Sequence, residues 1–231
     1  MVYGSERAER GMARRRSVES AERRRQPVTF ISKQKARQWR ADNLRFRLFT
    51  RLLARELRVD EVMVEMLSEA APFHDVGKIR VPEALLKKPG PLDPDEWEEM
   101  KRHTSYGADL LETLASLGYI QEEVLDLAKA VALSHHERWD GSGYPEGRIG
   151  EATPLPVRIV AVIAAYDALR SQRPYRPAFD HAAARRILLE GDVRTRPQHF
   201  DPHVLEAFSR IEGLIEATYA VHTGAGEEEG G

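Results

Sequence analysis

Apolar residues recur at helical spacing through most of the chain, and almost nowhere at the two-residue spacing of a half-buried strand. Leu44, Leu48, Leu52 and Leu53 share one helical face, and Val62, Met66, Leu67 and Ala70 repeat the pattern in the next segment, with Asp60 placed to cap it. Asp93, Pro94 and Glu96 have the form of a capping box with proline at the first helical position, which opens a helix running through His103 to about Leu117. A further helix is predicted over residues 122–136. It ends at a glycine-rich turn, residues 141–147, after which Pro154 or Pro156 starts a helix carrying Ile159, Val160, Ile163 and Tyr166. Two more are expected near 181–189 and 202–219. No segment alternates with period two and no repeat of fixed length is evident, so the expected fold class is all-α, a single compact helical domain.

The pattern stops at both ends. Residues 1–27 are arginine, glutamate and serine with almost no apolar positions, so ordering them would cost backbone entropy without burial in return. A disordered charged arm is expected there, read as a solvated extension in preference to a functional basic arm. A disordered acidic tail is expected over 223–231, which leaves 28–222 as the domain.

Composition narrows the chemistry. With no cysteine there is neither a disulfide framework nor a thiolate metal site, so any metal would be held by nitrogen and oxygen, and a reducing cytoplasm fits best. A formal net charge of -2 gives no global argument for a nucleic-acid polymer or an anionic membrane as partner. The longest strongly apolar run, residues 159–165, is far too short to span a bilayer. A soluble cytoplasmic protein is the expectation.

Two stretches carry donor groups. HDVGK, residues 74–78, ends an apolar helix with His74 and Asp75; alone, such a pair more often reflects a dipole partner or a satisfied core histidine than a ligand. Lys78 changes the balance, because a cation three residues after a carboxylate, beyond Gly77, can reach a phosphate oxygen that a metal also holds. In HHERWDGSGYP, residues 135–145, the side chains of His135 and His136 would diverge by roughly 100° on a regular helix, so both can serve one centre only where the backbone bends. The glycines downstream supply that bend. With His103, these residues form a pool of imidazole and carboxylate donors suited to iron, manganese or zinc, and a carboxylate can bridge two ions. Two ions roughly 3.5–4 Å apart would suit displacement at a phosphodiester. Tyr144 either packs on the core or is presented to a ligand.

The chain resembles the HD-GYP family, the branch of the HD phosphohydrolases whose members hydrolyse cyclic di-GMP. The likeness extends over about residues 36–210 and rests on HDVGK, IRVPEALLKKPGPL, MKRH, HHERWDGSGYP, RIVAVIAAYDAL, RPYRPAF and HFDP in that order. The resemblance implies a compact HD-type helical bundle. It makes His74, Asp75, His103, His135 and His136 metal ligands, with Asp75 bridging, and puts Lys78, Arg173 and Arg176 on the substrate phosphates. The implied cofactor is one or two divalent transition-metal ions, iron or manganese. The implied partners are a cyclic dinucleotide, a signalling protein meeting the GYP loop, and a second copy in a homodimer. Three positions depart from the family pattern: an aspartate becomes Ala164, and a glutamate and histidine on the first helix become Gln38 and Asp42, of which Asp42 can still coordinate. Two readings follow. The first is a phosphodiesterase releasing linear pGpG or GMP, with Asp75 and Lys78 catalytic; the second is a degenerate module that binds cyclic di-GMP or a partner without hydrolysis. A related hydrolase of another nucleotide is a third, disfavoured by the complete HHERWDGSGYP.

Overall fold

The computed structural model describes residues 33–172 and 176–224, with side chains described over 41–172 and 176–221. The expected terminal arms, 1–27 and 225–231 of the tail, lie outside these residues, as does Arg173. The chain divides into two units, Met1–Trp39 and Arg40–Gly231; of the first, only the opening of one helix is described.

Nine α-helices succeed one another among the described residues: α1 (Lys33–Glu56), α2 (Glu61–Ala70), α3 (Glu83–Leu86), α4 (Pro94–Lys101), α5 (His103–Ser116), α6 (Glu122–Ser134), α7 (Leu155–Arg170), α8 (His181–Glu190) and α9 (Pro202–Gly224). Short 3₁₀ turns, among them Ala71–Phe73 and Val76–Arg80, link them. The nearest approach to a strand is isolated bridging such as the antiparallel pair Asp140 and Ile149, so the all-α expectation holds for the described residues.

The caps form as the sequence predicts. Asp60 accepts from the backbone N–H of Val62 at 2.9 Å, and Asp93 and Glu96 close a reciprocal capping box at 2.9 and 2.8 Å. Two helix boundaries beside the site differ from expectation, and at both a histidine side chain takes carbonyls of the preceding turn. The helix expected to run from 94 through 103 is two helices, because the His103 ring donates to the Met100 carbonyl at 2.8 Å and Thr104 Oγ1 donates to the Lys101 carbonyl at 3.0 Å, competing with the backbone for those acceptors. The helix expected to reach His136 stops at Ser134, where the His135 ring takes the Val131 and Ala132 carbonyls at 3.0 and 3.1 Å.

α7 lies at the centre. Val157, Ile159, Val160, Val162, Ile163 and Tyr166 are all buried, so it is apolar nearly all round rather than striped, as a core helix must be. Phe49 and Leu53 of α1, Leu67 of α2 and Phe208 of α9 close on it with no exposed surface. Each such side chain contributes about 1.5–3 kcal/mol by leaving water. A second apolar cluster, with Ala70, Leu111 and Ala128, joins α2, α5 and α6. The site sits where these three helices meet the Val76–Arg80 turn.

Candidate metal centre

The turn after α2 can approach α5 only because residue 77 has no side chain. A Cβ on Gly77 would stand 1.9 Å from the carbonyl oxygen of His103 and 2.4 Å from the Gly107 nitrogen, well inside contact distance with backbone atoms. This approach places Asp75 and Lys78 against His103. Gly143 plays the same part for the loop after α6, since its Cβ would meet the Arg138 nitrogen at 2.4 Å and the His136 oxygen at 2.5 Å.

Asp75, His103, His135 and His136 converge here, each offering one ligand atom within 4.8 Å of all the others. Among the described residues they are the one group of three or more such donors. Both His103 and His135 spend Nδ1 on backbone carbonyls. A carbonyl only accepts, so Nδ1 carries the ring proton and Nε2 of each neutral ring presents a lone pair inward. The two Nε2 atoms are 3.5 Å apart and lie 3.5 and 3.7 Å from Asp75 Oδ1. That oxygen is buried and accepts no hydrogen bond. Three electron-rich atoms facing one another repel unless a cation lies between them, so the donor set fits a divalent metal ion.

Electrostatics keep the donors in ligand form. Burial pushes His103 down to about 4, and burial likewise lowers His135 and, further, His136. Burial alone would raise the Asp75 carboxyl, but its interactions with His74, the Lys78 ammonium and His135 outweigh that effect and hold it well below the usual carboxylate range.

The remaining expected residues divide around this centre. Lys78 Nζ lies 2.5 Å from Asp75 Oδ2. His74 donates from Nδ1 to the Ala71 carbonyl at 3.0 Å, stacks on Phe46 at 4.5 Å, meets the His135 ring edge-on at 5.2 Å, and has Nε2 3.4 Å from Asp75 Oδ2. The Tyr144 ring, partly buried, stacks on His136 at 4.7 Å, and burial raises its phenol. It thus covers the centre and does not pack on the main core. Asp42 pairs with Arg45 at 2.9 Å, and the same guanidinium nitrogen holds Asp167 at 2.9 Å. Arg176 donates to the carbonyls of Ala168, Leu169 and Pro177. Ala164 packs against the apolar core of α7. Gln38 is on α1, and its side chain lies outside those described.

Sequence reasoning passed over three residues that build this place. Phe46 carries the stacking face under His74. Glu137, 5% exposed, accepts from the backbone N–H groups of Glu146 and Arg148 at 2.7 and 2.9 Å and so ties the loop behind Tyr144. Trp97 of α4 meets the Tyr144 ring edge-on at 5.9 Å. An acidic residue directly after two histidines was the available signal for Glu137; nothing in the spacing pointed to the other two.

Comparison with known proteins gives the chain a family and a fold. A family model described as HD domain matches residues 19–204. A cyclic di-GMP phosphodiesterase of Vibrio cholerae serotype O1 is 46% identical over 157 residues, covering 68% of this chain and 31% of that protein. The cyclic di-GMP phosphodiesterase response regulator RpfG of Xanthomonas campestris is 42% identical over 165 residues, covering 71% of this chain and 41% of its own length. The chain therefore spans well under half of these curated relatives. Among solved structures, Bd1817, a HDG"Y"P protein from Bdellovibrio bacteriovorus, superposes with a TM-score of 0.52 over 73% of this chain and 51% of its own, at 19% identity, which supports the fold. The match of the family model over most of the chain means that this protein belongs to the HD-domain family, in its HD-GYP branch.

Proposed function

We propose that this chain is a metal-dependent phosphodiesterase that hydrolyses cyclic di-GMP to linear pGpG, GMP or both. The observation that carries the reading is the buried, unpartnered Oδ1 of Asp75 facing the bare Nε2 atoms of His103 and His135. The relatives named as cyclic di-GMP phosphodiesterases favour hydrolysis over a merely binding module. A bound iron or manganese ion, one or two per chain, would polarise a phosphoryl oxygen and make a water nucleophilic at neutral pH.

The protein's own groups supply the rest. Asp75 Oδ1 and one ring nitrogen each of His103, His135 and His136 would hold the metal, with His74 beside the other carboxylate oxygen. Lys78, one 3₁₀ turn beyond Asp75, brings a positive charge beside the metal for a phosphate oxygen, where charge grows in the transition state. Tyr144, stacked on His136, walls one side and limits water. Arg173 and Arg176 are assigned to the substrate phosphates; Arg176 would exchange its carbonyl partners at the end of α7 for a charged one. Asp42 is assigned as a reserve ligand that must leave Arg45 to bind.

The site belongs in the cytoplasm, where its substrate would be found, and the GYP loop is the surface assigned to a signalling partner; a homodimer is compatible with the reading. Protein purified without oxygen, analysed for metal and incubated with cyclic di-GMP, should yield linear products on chromatography, and a chelator should stop them. Bound metal with ligand binding but no product would favour the degenerate module.

A further inference from the structure

The two oxygens of Asp75 have different surroundings. Oδ1 faces the inward nitrogens of His103 and His135 at 3.5 and 3.7 Å and accepts no hydrogen bond. Oδ2 lies 2.5 Å from the Lys78 ammonium, with His74 Nε2 at 3.4 Å. One oxygen is turned to a metal position, and the other is already next to a fixed positive charge.

The surrounding anions are also committed. Asp42 stands one helical turn before Phe46, whose ring carries His74, so it is on the side of α1 from which a carboxylate could approach Oδ2. Its carboxylate is instead 2.9 Å from Arg45, which is 3% exposed and grips Asp167 at the same distance. Moving Asp42 away would leave the buried guanidinium with Asp167 alone, which opposes the exchange. Ala164, one turn before Asp167 on α7, presents a methyl group to the core.

We infer that the centre holds one divalent ion, bound by Asp75 Oδ1, His103, His135 and His136, and that the Lys78 ammonium occupies the cation position beside Oδ2 that a second ion would need. The inference rests on the metal-dependent reading above and specifies its stoichiometry. Charge supports it. Asp75 is the one carboxylate in the group, and Lys78 balances it; one divalent ion leaves a surplus that an incoming phosphodiester and a deprotonated water can neutralise. A second would add two more positive charges with no further carboxylate joining the group among the described residues, at a steep desolvation cost. Lys78 would then offset phosphate charge in place of a second metal.

The test is the full chain titrated with Mn(II), with bound metal counted by calorimetry and by mass spectrometry after desalting, and with electron paramagnetic resonance on the loaded protein. One ion per chain and the hyperfine pattern of isolated Mn(II) are expected, and His135→Ala should abolish binding as a whole. Two ions per chain, an exchange-coupled pair, or one ion retained by His135→Ala would each overturn the inference. These readouts are independent of turnover: a one-ion protein that leaves cyclic di-GMP intact sinks the phosphodiesterase reading and keeps the stoichiometry, whereas a two-ion protein that hydrolyses it does the reverse.

Discussion

Asp75 and the histidines around it show how residue type, burial and neighbours together make a ligand set. An imidazole is an ordinary side chain until one nitrogen is fixed; the Met100, Val131 and Ala132 carbonyls fix Nδ1 of His103 and His135 and so aim Nε2 inward. The residues that decide how much metal is held lie elsewhere. Ala164 occupies a position where the resemblance to the HD-GYP family implies an aspartate, and a methyl group donates nothing. Ala164→Asp should therefore raise the number or affinity of bound ions in a Mn(II) titration, and an unchanged isotherm would show that position 164 does not face the centre. The ligand types were legible in the sequence because Lys78 follows His74 and Asp75 at a reach suited to phosphate and adjacent histidines precede a glycine-rich turn, although the His-Asp pair alone points to no ligand. Their supports were not: Phe46 under His74 and Arg45 between Asp42 and Asp167 depend on contacts across 28 and 122 residues of chain that no local spacing encodes.

At the scale of elements, the site is a matter of how closely backbones can approach. The Val76–Arg80 turn meets the start of α5 through Gly77, and Gly77→Ala would drive a methyl group into the His103 carbonyl. The turn must then retreat and take Asp75 and Lys78 with it. We expect loss of more than about 2 kcal/mol of stability, comparable to other overpacked positions, and of most metal affinity, measured by thermal unfolding and Mn(II) titration; near-native values for both would contradict the close approach. The loop after α6 depends on Glu137, whose carboxylate accepts two backbone N–H groups. Glu137→Gln keeps the size and loses the charge, so it should cost about 1–3 kcal/mol and raise exchange of the Glu146 and Arg148 amides, with metal still bound. Helix existence and caps were readable from periodicity and from Asp60 and Asp93, which act locally. The breaks at Arg102 and Ser134 were not, because side-chain hydrogen bonds of His103 and His135 to the preceding turn end those helices, and only the fold shows those bonds.

For the whole molecule, the buried neutral histidines link stability to pH. Unfolded, His103 takes up a proton below about 6.5; folded, it resists until about 4. In that window the unfolded state binds more protons, so stability of the metal-free protein falls as pH drops from 6.5 towards 4, by about 3 kcal/mol for this residue, and the histidine contribution then levels off. Lowered His135 and His136 add in the same direction, and the depressed Asp75 carboxyl adds a further loss at still lower pH. Thermal unfolding of metal-free protein from pH 7 to 4 should show the decline, and His103→Gln should flatten it; an equal slope in the variant would contradict the assignment. No helix among the described residues is long and apolar enough to cross a membrane, so α7 is apolar because it is the core of the bundle. The central claim is that the Asp75 cluster is a metal centre that cleaves a cyclic dinucleotide. Its most direct test is the initial rate of linear product formation from cyclic di-GMP against Mn(II) concentration, for wild type and Asp75→Asn. A rate that rises and saturates with metal occupancy in the wild type, and is lost in Asp75→Asn although that variant stays folded, is the predicted result; metal-loaded wild type without turnover, or an equal rate in Asp75→Asn, would contradict it.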